Sequence, residues 1–317
     1  MRLWPETFEA LRSEAFAAAE QVYGAMPGDG VQPDVDPYDG ILAARAGGDE
    51  LFPYRCPSAS DRLIDGVRCR IIEPEGEVRG VYLHFHGGGM AIGTPELNDD
   101  ENEVLARELG VVTVSVDYRL APEHPYPAAI EDALAVAGWL IANSSTEFGT
   151  ERLILGGESS GAYLAAMTLL GIRDLDSIDR VVCANLVFGV FDWGRSPSQR
   201  GFRAQSGPDW LAPEAMAQFA DFYLPGRTDD QRRDPTISPA FAVLHSMPPA
   251  LFTIGTLDHM FDDTIMTAAR WSAAGNETAL AVYPDCGHGF HWFTDTELKR
   301  IAVQRIHDFL AEKLSRS

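Results

Sequence analysis

The run Gly157-Glu158-Ser159-Ser160-Gly161 sets a serine between the apolar stretch Leu153-Ile154-Leu155 and the sequence Ala162-Tyr163-Leu164-Ala165-Ala166-Met167, the pattern of a strand, a sharp turn and a helix. A serine hydroxyl is a weak nucleophile at its free pKa. It must project from a tight corner within reach of a base and of backbone N–H groups that face a developing oxyanion. Glycines on both sides permit such a corner. The pentapeptide alone is a short motif that ordinary turns also produce. A second motif lies about seventy residues upstream, where Val81-Tyr82-Leu83-His84-Phe85 reads as a strand running into His86-Gly87-Gly88-Gly89. Consecutive glycines expose N–H groups that no side chain shields, as stabilisation of an oxyanion requires. Together the two motifs point to acyl transfer through a serine.

The elements that must position these residues are legible from Val67 onward. Short β-branched runs there alternate with longer helical patterns, the signature of strands feeding crossover helices in a largely parallel sheet. Strands are expected at 67–73, 81–85, 111–117, 153–157, 181–188, 250–255 and 280–284. Apolar residues at three-and-four spacing, such as Ile130, Leu134, Ala137 and Leu140, predict helices over 128–142, 264–274 and 297–314. Two segments break the alternation. Residues 1–46 combine a helix over 6–23 with a Pro/Gly/Asp-rich loop over 27–40, and residues 192–249 carry prolines with Trp193, Phe202, Trp210, Phe219, Phe222 and Tyr223. Long insertions in compact domains usually serve as lids or binding elements. Both segments are therefore read as cap, which leaves 47–191 and 250–317 as the two parts of the core.

Composition narrows the function. The chain has 317 residues, 45% of them hydrophobic, enough for a sizeable buried core. Lys+Arg is 25 against Asp+Glu 47, and the net charge of −22 repels phosphate backbones and anionic lipid heads, so neither nucleic acid nor membrane is expected as a partner. Short acidic clusters, Asp99-Asp100-Glu101 and Asp262-Asp263, fit the first turns of helices. The N-terminal residues lack the apolar core of a signal peptide and no stretch is long enough to span a bilayer, which predicts a cytoplasmic location. Cys56, Cys69, Cys183 and Cys286 show no metal-binding spacing and read as free thiols, Cys286 as a small buried filler.

Two further runs, Asp117-Tyr118-Arg119-Leu120-Ala121-Pro122-Glu123-His124-Pro125-Tyr126-Pro127-Ala128-Ala129 and Cys286-Gly287-His288-Gly289-Phe290, complete a pattern. Over residues 63–310 the chain resembles the hormone-sensitive-lipase-like branch (bacterial family IV) of α/β-hydrolase carboxylesterases. The resemblance implies an α/β fold with a mostly parallel central sheet flanked by helices. Its cap is formed by the N-terminal helices and an insertion after the sixth strand. It also implies a triad in the chain order serine, acid, histidine. Ser159 is then the nucleophile, Asp258 the acid and His288 the base, the last two at strand ends where an open α/β sheet places its crevice. Asp262 and Asp263 compete as the acid but fit better as first-turn helix residues. His259 and His291 compete as the base but lack the glycine-flanked setting of His288. The oxyanion hole falls to the N–H groups of Gly88, Gly89 and Ser160, with Gly87 as second choice. His86 shapes the glycine loop, and the 118–129 run shapes the approach to the following helix.

The chain departs from the branch at three places. Asp258-His259-Met260-Phe261-Asp262 replaces the usual Asp-Pro-Leu-x-Asp, the elbow is Gly-Glu-Ser-Ser-Gly instead of Gly-Asp-Ser-Ala-Gly, and Met90 stands where an aromatic is usual. Flexible Met90 is expected to loosen a substrate pocket that Trp193, Phe202 and Trp210 also line. The resulting reading is a serine carboxylesterase acting on short- to medium-chain esters, with a small-molecule ester as its partner and no metal or organic cofactor, and with a homodimer as the assembly relatives often form. The same constellation suits amide, formamide, carbamate or lactone hydrolysis. A non-catalytic small-molecule receptor is a third reading, which the presence of His288 disfavours.

Overall fold

The β-branched runs become strands because parallel strands covered on both faces need no polar alternation. In the computed structural model, which describes residues 3–25, 36–175, 177–201, 211 and 213–316, the described residues form one sheet of eight strands. These are β1 (Ser60–Ile64), β2 (Val67–Ile72), β3 (Gly80–Phe85), β4 (Val111–Val116), β5 (Leu153–Glu158), β6 (Val181–Val187), β7 (Ala250–Gly255) and β8 (Thr278–Tyr283). Their spatial order is β1-β2-β4-β3-β5-β6-β7-β8. From β4 to β8 neighbours run parallel, and β1 and β2 are joined antiparallel at one edge. Every residue of β3, β4, β5 and β7 is buried.

β1 was not expected from hydrophobicity, since Ser60-Asp61-Arg62-Leu63-Ile64 is mostly exposed. Its signal is the turn: Asp65 (φ 48°) and Gly66 (φ 84°) both adopt positive φ and pair Ile64 with Val67, the two-residue hairpin that an Asp-Gly dipeptide favours.

The helices are α1 (Arg12–Ala25), α2 (Pro37–Leu51), α3 (Asp99–Leu109), α4 (Ala128–Phe148), α5 (Ser160–Asp174), α6 (Pro197–Gly201), α7 (Pro213–Tyr223), α8 (Asp229–Arg232), α9 (Phe261–Ala273), α10 (Phe290–Phe293) and α11 (Glu297–Ser315). α3 and α9 begin with the acidic clusters at 99–101 and 262–263 in their first turns. The expected 6–23 helix is a 3-10 segment, Glu6–Leu11, followed by α1. The expected 27–40 loop ends early, because Asp36 caps α2 by accepting from Tyr38 N at 2.8 Å and Pro37 takes the first helical position; residues 26–35 lie outside those described. α4 and α5 pack together on one side of the sheet, and α3 and α11 contact each other on the other.

What positions the site is a backbone contact between the end of β3 and the turn after β5. A Cβ on Gly161 would overlap the carbonyl oxygen of Phe85 and lie 2.6 Å from that of His86, and a Cβ on Gly157 would also overlap the Phe85 carbonyl. The two irregular segments meet the loop after β3. Arg45 of α2 donates to Ala91 O (2.8 Å) and Ala121 O (2.9 Å), and the Phe219 ring of α7 lies against Gly89.

In a helix interior Gly→Ala normally stabilises by about 1 kcal/mol, whereas forced overlap costs about 1–3 kcal/mol or more. Gly161→Ala should therefore lower the free energy of unfolding in a urea titration. A neutral or stabilised variant would contradict the contact.

Candidate active site

Ser159 occupies the corner between β5 and α5 with φ 56° and ψ −121°, a conformation that costs a non-glycine residue about 1–3 kcal/mol. Three backbone hydrogen bonds hold it there: Ser159 N donates to Val187 O (2.9 Å), and Ser159 O accepts from Tyr163 N (3.2 Å) and Val190 N (3.4 Å). Its Oγ lies 3.0 Å from His288 Nε2. His288 Nδ1 in turn lies 2.9 and 3.0 Å from the two carboxylate oxygens of Asp258. All three side chains are buried. The carboxylate only accepts, so Nδ1 carries the proton and Nε2 presents its lone pair to the serine.

The loops that carry the acid and the histidine are joined to each other. Leu257 N donates to Cys286 O (2.9 Å), Thr256 N to Tyr283 O (2.9 Å), and Asp285 N to Thr256 Oγ1 (2.9 Å). Asp258 Oδ1 also accepts from Met260 N at 2.8 Å, so the loop turns without the proline expected between the two acids. Buried Phe188 packs against the histidine, its ring centroid 4.6 Å from that of His288.

The glycine loop is oriented through its carbonyls. His86 Nδ1 donates to Gly87 O at 2.8 Å, and Gly88 O accepts from Ala91 N (3.0 Å) and Ile92 N (2.9 Å). Across a trans peptide the N–H points opposite to the C=O. Fixing these two carbonyls therefore turns the N–H groups of Gly88 and Gly89 the other way, and among the described residues neither makes a hydrogen bond. Gly88 (φ 122°) and Gly89 (φ 60°) adopt backbone conformations that side chains disfavour. Ser160 N, at the first helical position of α5, belongs to the donors that a helix leaves unpaired. Gly87 is pressed on the elbow, its Cβ position 3.2 Å from Glu158 O. His86 is fully buried, and burial lowers its pKa to about 4. Tyr118 supports it by donating to His86 O (2.7 Å) and stacking on the ring at 4.3 Å.

Behind the elbow lies a network that motif reading did not find. His84 Nδ1 meets Ser115 Oγ at 2.7 Å and its Nε2 lies 3.1 Å from Glu158 Oε2, which Asn98 Nδ2 also approaches at 3.4 Å. The available signal was the polar His84 and Ser115 inside strands that should be apolar.

Two expected pocket residues are packed in the interior of the described residues. Met90 and Trp193 are 0% and 1% exposed, and among the described residues neither lines the 290 Å³ cavity at the glycine loop. Met90 instead anchors a turn, accepting from Ala121 N at 2.8 Å, and Trp193 packs against Tyr163 and Tyr223. Phe202 and Trp210 lie outside the described residues. The cavity that reaches Gly87 and Gly88 has a volume of about 290 Å³ and is walled mainly by Leu51, Phe52, Ile92, Leu97, Leu120 and Trp292.

The rival residues have other tasks. Asp262 accepts from Ser198 N (2.9 Å), and His259 O from Ser198 Oγ (2.7 Å). Asp263 is fully buried and accepts from Phe191 N (2.9 Å), Asp192 N (2.8 Å) and the Gln199 amide. It thereby ties the segment after β6 to α9. His291 makes no hydrogen bond to Ser159, Asp258 or His288; it packs on Phe188, whose ring also contacts His288, and its Nε2 lies 3.7 Å from Glu101. Among the described residues no helix is long and apolar enough to cross a membrane.

Known proteins resemble this chain in sequence and in fold. A family model described as the alpha/beta hydrolase fold matches residues 82–292. The chain is 33% identical to the esterase LipI of Mycobacterium tuberculosis over 220 residues, 68% of this chain and 67% of LipI. It is 31% identical to the carboxylesterase NlhH of the same organism over 219 residues, 66% of each protein. The matched region thus spans about two thirds of the length of these curated relatives. Among solved structures, an esterase of Pyrobaculum calidifontis superposes with a TM-score of 0.79 at 30% identity, covering 89% of this chain and 94% of that one.

Burial lifts the Asp263 carboxyl from 3.8 to about 7. Between those values the folded protein holds a proton that the unfolded chain has released, so stability present below about pH 4 is lost as pH rises through about 7. Asp263→Asn carries no such proton. Its thermal midpoint relative to the parent should become more favourable from pH 5 to pH 8, and a difference constant with pH would contradict the assignment.

Proposed function

We propose, from the premise that this chain belongs to the hormone-sensitive-lipase-like branch of the α/β-hydrolase fold family, that it hydrolyses short- to medium-chain carboxylic esters through an acyl-enzyme on Ser159. The observation that carries the proposal is the continuous hydrogen-bonded path from Ser159 Oγ through His288 to Asp258.

His288 accepts the serine proton as Oγ attacks the ester carbonyl. Asp258 holds the tautomer that leaves Nε2 free to do so and stabilises the imidazolium that forms. The tetrahedral oxyanion is received by the N–H groups of Gly88, Gly89 and Ser160, which are oriented before the reaction, so no reorganisation is needed as charge develops. His288 then protonates the departing alkoxide. Water then attacks the acyl carbon as the same nitrogen takes its proton, and that proton passes to Ser159 Oγ as the bond to the serine breaks and the acid leaves. His86 and Tyr118 touch no reacting atom in this scheme and act by orienting the glycine peptides.

An apolar cavity of about 290 Å³ beside the glycine loop supports a short acyl group, since ligand sites commonly run from about 300 to 1,000 Å³. The net charge of −22 supports a small neutral substrate over a nucleic-acid or membrane surface. Buried free cysteines fit a reducing cytoplasm.

Nitrophenyl esters from acetyl to dodecanoyl test the reading. Turnover should peak at short or medium chains and fall at least about 10³-fold in Ser159→Ala, given what removal of a triad member costs. Folded protein inactive on the whole series, or a Ser159→Ala variant of normal rate, would overturn it.

A further inference from the structure

A second cavity, of about 420 Å³, lies on the α3 and α11 side of the sheet, and its floor is polar. Gly156, Glu158, Asn185 and Val187 share that face, because Gly156 pairs with Asn185 and Glu158 with Val187 while side chains alternate along each strand. Buried parallel strands are ordinarily apolar on both faces. Here Glu158 and Asn185 line the cavity together with Glu101 of α3 and His291 of α10.

The two carboxylates are oriented by donors on one oxygen each. Glu101 Oε2 accepts from Trp292 Nε1 (3.1 Å) and Asn98 Nδ2 (3.3 Å). Glu158 Oε2 is approached by His84 Nε2 (3.1 Å) and by the same Asn98 nitrogen (3.4 Å). Among the described residues no hydrogen bond uses Oε1 of either. His291 Nε2 lies 3.7 Å from Glu101 Oε1, and one ligand atom from each of Glu101, Glu158 and His291 falls within 4.8 Å of the other two. Two buried polar atoms here make no hydrogen bond: His291 Nδ1 and Asn185 Oδ1, on residues 4% and 3% exposed. Lys299 also lines the cavity, but its ammonium is directed to Trp292 O at 3.5 Å.

The lining is thus rich in acceptors, with facing carboxylates and an imidazole. A cation there would meet one carboxylate oxygen of each glutamate that no donor occupies and an imidazole whose Nδ1 makes no hydrogen bond. Imidazole among the ligands selects zinc-like first-row ions over Ca²⁺ or Mg²⁺. Donors behind each carboxylate are what orient metal ligands elsewhere, and the cavity supplies water ligands and an entry path.

We propose that Glu101, Glu158 and His291 bind one divalent first-row metal ion of the zinc type, at a site distinct from the Ser159 triad. The site takes no part in the hydrolytic step. Because Glu158 precedes Ser159 in β5, the ion ties α3 and α10 to the strand that carries the elbow.

Zinc titration of the EDTA-treated, full-length protein by calorimetry tests this without reference to esterase activity, with Co²⁺ absorption reporting the ligand field. One saturable site per chain is expected, unaffected by millimolar Mg²⁺. Glu101→Gln and His291→Gln should each weaken binding at least tenfold and abolish the rise in thermal midpoint that zinc gives the parent. Metal-free melting establishes that each variant is folded; should His291→Gln not fold, the near-isosteric Glu101→Gln on a partly exposed residue decides alone. No saturable binding by the parent, or parental binding by a folded Glu101→Gln, would overturn the proposal.

Discussion

The rest of the site depends on the contact between the carbonyls of Phe85 and His86 and the two glycines of the elbow. Gly157 and Gly161 leave no room for a Cβ on that side. The end of β3 and the start of α5 therefore sit as close as two backbones can. That closeness brings the glycine loop, which begins two residues beyond Phe85, against the elbow, where the Cβ position of Gly87 lies 3.5 Å from the Cβ of Ser159. In the proposed mechanism, nucleophile and oxyanion donors would then belong to one backbone unit, so their geometry would not rely on flexible side chains.

Around that unit the protein spends hydrogen bonds on orientation. Gly87 and Gly88 have their carbonyls taken by His86 Nδ1 and by Ala91 and Ile92, and among the described residues the opposite N–H groups make no hydrogen bond. Asp258 and His288 arrive from adjacent parallel strands whose terminal loops are bonded to each other through Leu257 and Cys286. The strained backbone of Ser159 is held from both sides, by Val187 O on one strand and by Tyr163 N and Val190 N. Each interaction is modest, about 0.5–1.5 kcal/mol net, but in a buried site each removes a direction in which the triad could relax.

Much of this was legible in the residues. The strand-glycine-serine-glycine-helix pattern, the triple glycine after a strand and the glycine-flanked His288 each state a backbone requirement that few sequences meet, and the elements they predicted lie within a few residues of those found. Where the reading failed, the cause is physical. β1 is a polar edge strand, visible only through its Asp65-Gly66 turn. α2 begins inside an apparent loop because Asp36 and Pro37 form a helix start. Met90 and Trp193 look like pocket residues by type, yet burial depends on what packs over them, which spacing alone does not encode. The hydrogen bonds taken by the Gly87 and Gly88 carbonyls, which favour the N–H groups of Gly88 and Gly89 in the proposal, have no sequence signature. The polar floor of His84, Glu158 and Asn185 leaves only a faint trace, polar residues inside strands that should be apolar.

The most direct test of the account is the identity of the nucleophile, read by intact-mass and peptide mass spectrometry after reaction with a fluorophosphonate. The geometry predicts one adduct per chain, located on Ser159 and prevented by prior incubation with a competing short-chain ester. Stoichiometric labelling at another residue, or no labelling of folded protein, would contradict it.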